Sequence, residues 1–261
     1  MTVNEYLQDL ASRLIVKDEE KSKITTSINV IKNKLSSYFD SEVTDKIVFG
    51  SYTRGTILPR KADDESDIDL MVVFGDNSNG YKPQTYLNKL KSFAEHYYST
   101  SEIYQSSPTI VLELNHIKFE LVPAYKPFDY SNEYKIPNGA SEWISTNPND
   151  FNDTLTSCNV NNNSKIKPII RLIKRWNVTK NHRDIKSFEI EKSIAEKMTY
   201  SYLYCTSYAE YAKAALESIR DYWNKDKVNS AIRTIESALE YEDKGMPNCA
   251  LLEIKKIFED F

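Results

Sequence analysis

Residues 66–74 read Ser-Asp-Ile-Asp-Leu-Met-Val-Val-Phe, two acidic residues followed by an apolar run. Successive side chains of a β-strand point to opposite faces, so Asp67 and Asp69 are expected on one face at the start of a strand. Carboxylates held side by side repel each other and raise one pKa unless a cation lies between them. Oxygen ligands of this kind suit Mg²⁺ or Mn²⁺. An isolated pair of this type is more often a solvent-facing pair, so its meaning depends on the surrounding sequence.

A third acidic residue occurs in a later apolar segment. Residues 109–114 and 117–122 predict a β-hairpin, and Glu120 lies between the apolar residues Phe119 and Leu121. A third carboxylate on a neighbouring strand would complete a two-metal site, with ions about 3.5–4 Å apart, for phosphoryl transfer. Glu113 has a similar apolar setting and is the alternative third ligand.

Residues 50–56, Gly-Ser-Tyr-Thr-Arg-Gly-Thr, follow a predicted strand at 46–49 and hold two of only 6 glycines in the chain. A strand that leads into a Gly-Ser turn and a helix presents backbone N–H groups and the Ser51 hydroxyl to an anion. Arg54 either adds a phosphate contact or pairs with a nearby acid. The order of strand, Gly-Ser turn, acidic pair and third acid is more specific than any one of these elements.

Composition excludes several classes of protein. No segment approaches the roughly 18 apolar residues of a membrane span, and the N-terminus lacks a signal-peptide core. The 3 cysteines show no CxxC spacing, and only 3 histidines accompany them, which argues against structural zinc. The expectation is a reduced, cytoplasmic protein. Its net charge of −4 does not indicate a surface for duplex nucleic acid, so any nucleotide contact should be local.

One basic segment stands out against this acidic background. Residues 165–192 contain nine Lys or Arg and three acidic residues. On a predicted helix over 165–177, Lys167, Arg171 and Lys174 form a stripe of like charge beside an apolar face. Such a stripe is either a solvated helix face or a set of charges bridged by an anion.

The organisation indicated is α+β. The spacing of the apolar residues from Ile24 to Phe39 predicts a long amphipathic helix that precedes the strands. Residues 126–164, rich in Pro, Asn, Ser and Asp, are expected to be a long connecting segment. The chain is predicted to be helical from Lys165 almost to its end, with breaks at 178–187 and 244–247. We therefore expect a catalytic core at 1–164 and a helical lobe at 165–261.

The segments GSYTRGT, SDIDLMVVF and FELVPAY together resemble the DNA polymerase β-like nucleotidyltransferases. Among these the chain looks most like the bacterial cyclic-oligonucleotide synthases related to cyclic GMP–AMP synthase and oligoadenylate synthase (CD-NTases, SMODS-type). The resemblance implies a mixed sheet flanked by helices, a C-terminal helical lobe and an active site in the cleft between them. It also implies that Gly50 and Ser51 hold the triphosphate, while Asp67, Asp69 and Glu120 bind two Mg²⁺ ions (Mn²⁺ being possible). Asp is commoner at the third position.

The resemblance extends into the basic segment. Lys174, shortly before Trp176, matches a family Lys that reaches the triphosphate. Residues 187–191, Ser-Phe-Glu-Ile-Glu, match a Ser-aromatic-x-x-Glu element whose Ser contacts phosphate and whose ring stacks on the base. Phe188 stands where Tyr is common and keeps the stacking face without the hydroxyl. Ser187, Phe188, Lys174 and Arg54 are therefore the candidate nucleotide-binding residues beyond the Gly-Ser turn.

By this resemblance the function is template-independent joining of NTPs or dNTPs into a cyclic or linear second messenger, in anti-phage defence, with a separate effector protein responding to the product. Three alternatives stay open. One is a linear polymerase, which could use deoxynucleotides and a protein primer, and another is nucleotide transfer to a protein or RNA. The third, from a different class, is a catalytically silent nucleotide sensor. Fold alone does not choose among these.

Overall fold

The computed structural model describes residues 1–75, 77–127, 133–201, 204–220 and 225–261. The helices assigned there are α1 (Val3–Arg13), α2 (Asp18–Phe39), α3 (Gly50–Arg54), α4 (Pro83–Tyr97), α5 (Asp150–Asn161), α6 (Ile166–Thr179), α7 (Ser187–Ser201), α8 (Tyr208–Ser218), α9 (Lys225–Asp243) and α10 (Pro247–Ile254). The strands are β1 (Val43–Phe49), β2 (Asp67–Phe74), β3 (Ile103–Ser106), β4 (Thr109–Leu114), β5 (Ile117–Ala124), β6 (Tyr134–Asn138) and β7 (Glu142–Thr146).

The chain divides into two compact units that are not continuous in sequence. The sheet unit comprises Lys17–Thr53 and Glu65–Asp150. The helical unit comprises Met1–Val16, Arg54–Asp64 and Phe151–Phe261. This division differs from the one expected at 164/165, because residues 1–16, 54–64 and 151–164 belong to the helical unit.

A five-stranded sheet in the order β1-β2-β5-β4-β3 organises the sheet unit. Only β2 and β5 run parallel, and the other neighbours are antiparallel. Strand β2 is an inner strand and its residues Ile68 and Leu70 to Phe74 are buried, which explains its continuous apolar sequence. A separate two-stranded sheet pairs β6 with β7.

Helix α2 matches the amphipathic pattern predicted for it. Its buried residues recur at spacings of three and four, and they are Ile24, Ile28, Ile31, Leu35 and Phe39. The hairpin β4–β5 is also confirmed, with Leu114 paired with Ile117 across the turn. The predicted connecting segment at 126–164 is only partly irregular, because it contains β6, β7 and α5. That prediction overlooked short elements of low apolar content, whose stability comes from tertiary packing.

The helical unit has one large apolar core. Helix α1 buries Val3, Tyr6, Leu7 and Leu10 in the same core as Ile169 and Trp176 of α6. The Tyr6 hydroxyl also donates a hydrogen bond to the Phe258 carbonyl oxygen at 2.6 Å. These contacts explain why α1 belongs with the C-terminal helices, although it lies at the other end of the chain.

Candidate active site

Two aspartates and a glutamate lie on one face of the central parallel strand pair. Asp69 pairs with Glu120 in the β2–β5 register, and Asp67 pairs with Lys118. Directly paired residues point to the same face, and so do residues two apart on one strand. Asp67, Asp69 and Glu120 therefore share a face with Lys118. Glu113 pairs with Lys118 on the next strand outward, so it is one strand further from the aspartates than Glu120 is.

The electrostatics of this face show an excess of negative charge. Burial, followed by the charge of Asp67, raises the pKa of Glu120 to about 7, although Lys118 opposes the shift. Lys118 is buried and pairs with Glu65, with 2.8 Å between Nζ and Oε2. Burial would lower the pKa of Lys118, but Glu65, Asp67 and Glu120 outweigh it and raise that pKa. The Lys118 ammonium thus lies close to several carboxylates.

The Gly-Ser turn lies against this carboxylate face at the end of β1, where Phe49 pairs with Asp69. Gly50 has φ +77°, and a Cβ on it would lie 1.8 Å from Oδ2 of Asp69. The Asp69 carboxylate therefore occupies the space that any other residue at position 50 would fill. Ser51, next in the chain, is half-buried in the first turn of α3.

The donor set of this face suits a hard divalent cation. It supplies carboxylate oxygens, and burial and the charge of Asp67 raise the pKa of Glu120, so a divalent cation would stabilise the ionised carboxylates there. Within the described part of the chain, no three Asp, Glu, His or Cys side chains already converge tightly enough to enclose an ion. The fit therefore rests on donor chemistry and strand register.

A second charged cluster, the Glu191 cluster, lies inside the helical unit. Glu191 on α7 is fully buried and accepts from Arg54 Nε at 2.5 Å and from Thr56 Oγ1 at 2.8 Å. Its Oε1 also pairs with Lys174 of α6, whose Nζ donates to the Thr56 carbonyl oxygen at 3.2 Å. Arg171 donates to the Gly55 carbonyl oxygen at 2.8 Å. We refer to Arg54, Thr56, Arg171, Lys174 and Glu191 as this cluster.

The charge of Glu191 is stabilised despite its burial. Burial alone would raise its pKa, but Lys174 and Arg54 outweigh that effect and lower the pKa below its usual value. Arg54 is itself only 8% exposed and Lys174 only 5%. In this structure Arg54 and Lys174 both form ion pairs with Glu191. Of the basic stripe of α6, Lys174 therefore contacts an acidic side chain of the same chain, whereas Arg171 donates to a backbone carbonyl.

The remaining expected site residues lie at the start of α7. Ser187 is the first residue of that helix and is exposed. Phe188 is 45% exposed and makes an edge contact with Phe151, with ring centroids 5.4 Å apart. The Arg54 guanidinium lies 5.5 Å from the Phe188 centroid, which allows a cation–π contact.

Comparison with known proteins shows the family. Residues 1–159 match the model of the Second Messenger Oligonucleotide or Dinucleotide Synthetase (SMODS) domain. This match covers more than half of the chain. The chain belongs to the SMODS family.

Individual members agree with the match. A probable cyclic nucleotide synthase of Bacillus cereus (strain VD146) is 25% identical, over 88% of this chain and 85% of the relative. The solved Vibrio cholerae cyclic AMP–GMP synthase DncV superposes with a TM-score of 0.77 at 10% identity, covering 99% of this chain and 96% of DncV. Escherichia coli MS115-1 CdnC, solved with ATP, gives 0.73 at 13% identity and 98% coverage of both chains. CdnC has also been solved in complex with HORMA-deltaN.

This SMODS protein is thus a CD-NTase, and its fold is the nucleotidyltransferase fold with a helical lobe. As an enzyme it is a nucleotidyltransferase, and its family depends on divalent metal ions. Among the residues that the structure describes, none of the helices is both long and apolar enough to span a membrane.

The roles of Glu191 and Lys118 were missed at the sequence level. Glu191 appeared only as the last letter of the Ser-aromatic-x-x-Glu element. A usable signal existed, because Glu191 lies three and four residues before Ile194 and Ala195 and so falls on the apolar face of α7. Lys118 precedes Glu120 by two, which places both on one face of a strand.

Proposed function

We propose that this SMODS protein joins nucleoside triphosphates into a cyclic or linear oligonucleotide second messenger. A 3′- or 2′-hydroxyl of one nucleotide attacks the α-phosphorus of another, the bond from that phosphorus to the bridging oxygen breaks, and pyrophosphate leaves. The observation that carries the proposal is the shared face of Asp67, Asp69 and Glu120 beside the Gly50-Ser51 turn. A nucleotide sensor without turnover has no need of three carboxylates on one face.

In this proposal Asp67, Asp69 and Glu120 hold two Mg²⁺ ions. When bound, the metal supplies neutralisation of the triphosphate charge and a lower pKa for the attacking hydroxyl. Glu120 also orients that hydroxyl. The Ser51 hydroxyl donates to a phosphate oxygen, while Gly50 leaves room for the Asp69 carboxylate. Ser187 and Phe188 contribute a phosphate hydroxyl and a stacking ring.

The decisive experiment incubates the purified chain with each labelled NTP and dNTP, plus Mg²⁺ or Mn²⁺, and resolves the products by mass. We expect an oligonucleotide product from wild type, and a loss of at least about 10³-fold in turnover for Asp69→Asn. Unchanged turnover in Asp69→Asn would contradict the metal role. Glu102→Gln is the control, because Glu102 is a charged residue of the same sheet unit outside the carboxylate face.

The same assay separates the alternative activities. Product that resists phosphatase is cyclic, whereas sensitive product is linear. A mass increment on the protein itself indicates a protein primer or self-modification, and labelling of added RNA or protein indicates transfer to that acceptor. Absence of any product with every NTP and dNTP would favour the silent sensor.

The base-stacking role of Phe188 has its own test. Base–aromatic stacking is worth about 1–3 kcal/mol per base, so Phe188→Ala should weaken NTP affinity by roughly tenfold. Leu252→Ala is the control, because Leu252 is an exposed apolar residue of the same unit. Equal affinities of wild type and Phe188→Ala in calorimetric titration with NTP would remove Phe188 from the site.

We further propose that the product is read by a separate effector protein in anti-phage defence. The support is family membership and the B. cereus and V. cholerae relatives, whose names describe nucleotide synthases. Phage challenge of cells that express the wild-type or the Asp69→Asn protein tests this role. Equal plaque counts in the two strains would contradict it.

A further inference from the structure

Helix α3 carries the Gly-Ser turn but is too short to hold its own position. It contains five residues, with Ser51 in its first turn and Arg54 at its end. An isolated helix of this length has negligible stability in water, because nucleation is costly and few hydrogen bonds follow. The position of Ser51 therefore depends in part on what fixes the two ends of α3. The N-terminal end continues from β1, which is paired in the sheet.

The C-terminal end is fixed by the Glu191 cluster at three successive residues. Arg54 is paired through its side chain with Glu191 at 2.5 Å. The Gly55 carbonyl accepts from Arg171 at 2.8 Å. The Thr56 hydroxyl donates to Glu191 at 2.8 Å, and the Thr56 carbonyl oxygen accepts from Lys174. Consecutive residues held by buried charged groups are fixed far more closely than an exposed loop would be.

Glu191 makes three of the side-chain contacts in the cluster. It contacts Arg54, Thr56 and Lys174, and it is the acidic residue of a cluster that also contains three buried cationic residues. We propose that Glu191 is a positioning residue for the Gly50-Ser51 turn, acting through Arg54 and Thr56. The proposal rests on the proposed function, since it assigns the triphosphate to that turn. It gives Arg54 and Lys174 a role that requires no direct phosphate contact.

The alternative is that Glu191 competes with the triphosphate for Arg54 and Lys174. The two ideas predict opposite signs for one substitution. If Glu191 positions the turn, Glu191→Gln weakens NTP affinity because α3 loses its fixed end. If Glu191 competes, Glu191→Gln releases two cations and tightens NTP binding. Thr56→Val is a milder version, since it removes the hydroxyl bonded to Glu191 and keeps the shape of the side chain.

The experiment measures the affinity of the full chain for each of the four ribonucleoside triphosphates with Mg²⁺, and uses the tightest one as the probe. Small misplacements of binding groups have large effects, so we expect about a tenfold loss for Glu191→Gln and about a threefold loss for Thr56→Val. Glu196→Gln, an exposed glutamate of the same helix, should match wild type. If Glu191→Gln does not fold, Thr56→Val decides the question.

Combination with Ser51→Ala separates positioning from a general loss of structure. The effects of groups that act as a unit are non-additive. In the Ser51→Ala background, Glu191→Gln and Thr56→Val should therefore each change NTP affinity by no more than about twofold. Losses that stay the same size there, tighter binding by Glu191→Gln, or wild-type affinity in folded Thr56→Val would each overturn the proposal. If Ser51→Ala alone leaves affinity unchanged, the proposed phosphate site fails and the positioning role fails with it. If Ser51→Ala weakens binding but the other variants do not, only the positioning role fails.

Discussion

Glu120 and Glu191 are two largely buried glutamates of one chain whose pKa values are shifted in opposite directions. Glu120, on the sheet, pairs in register with Asp69, and burial followed by the charge of Asp67 raises its pKa to about 7. Glu191, in the helical unit, faces Arg54 and Lys174, and its pKa is lowered even though burial opposes this. Burial is common to both, so the sign of the neighbouring charge decides the direction.

The difference lies in the groups that surround each carboxylate. The carboxylate face brings Asp67, Asp69 and Glu120 together on neighbouring strands, and such oxygen ligands suit a divalent cation. The Glu191 cluster pairs its acidic residue with two cations of the same chain, so it is suited to fix the backbone.

Glu191→Gln should produce the largest change in stability. It leaves Arg54 and Lys174 buried without their carboxylate, which costs about 3–5 kcal/mol of unfolding free energy near neutral pH. The pKa of Glu191 is lower in the folded state than in the unfolded state. The stability that Glu191 contributes is therefore fully present at a pH above its unfolded-state pKa, and it is lost as the pH falls through its folded-state pKa. The gap between wild type and variant in urea titrations should therefore narrow in acid. Glu196→Gln should stay within about 0.5 kcal/mol of wild type.

Gly50→Ala compared with Gly55→Ala tests the carboxylate face. Both residues have positive φ, +77° and +70°, so each substitution costs about 1–2 kcal/mol of backbone strain. Only at Gly50 would the new Cβ collide with Asp69, whereas a Cβ added at Gly55 would meet no atom within 4 Å. Turnover should fall by about 10²-fold in Gly50→Ala, or about 2.7 kcal/mol, and by only a few-fold in Gly55→Ala. Equal losses in both variants would refute a specific role for the Gly50–Asp69 contact.

Glu120→Gln should produce the smallest change, and it should raise the free energy of unfolding where Glu191→Gln lowers it. The folded pKa of Glu120 is raised, so the metal-free protein loses stability as pH rises from the unfolded value to about 7 and stays penalised above that. Gln removes this penalty, and after allowance for solvent screening the gain should be about 1–2 kcal/mol at pH 8.5 and near zero at pH 4.5. Added Mg²⁺ should raise the melting temperature of wild type more than that of the variant. A gain in the free energy of unfolding that does not depend on pH would contradict the raised pKa of Glu120.

Much of the sheet unit could be predicted because its signals are local. Helix α2, strand β2 and the β4–β5 hairpin each show the period of their own secondary structure, and the acidic pair lies on one strand. Strands β6 and β7 and helix α5 were missed, since their sequences are polar and their order depends on packing. The affiliation of α1 was missed because its apolar face does not reveal which apolar surface it will cover.

By itself, then, the sequence determined the family, the fold class and the residues of the carboxylate pair, since these depend on short spacings along the chain. The tertiary structure decided which glutamate lies beside Asp69 and which carboxylate pairs with Arg54. Both outcomes depend on residues far apart in sequence: Asp69 meets Glu120 through strand register, and Arg54 meets Glu191 across 137 positions. The charge that surrounds a buried carboxylate is a property of the folded chain, because only folding chooses its neighbours.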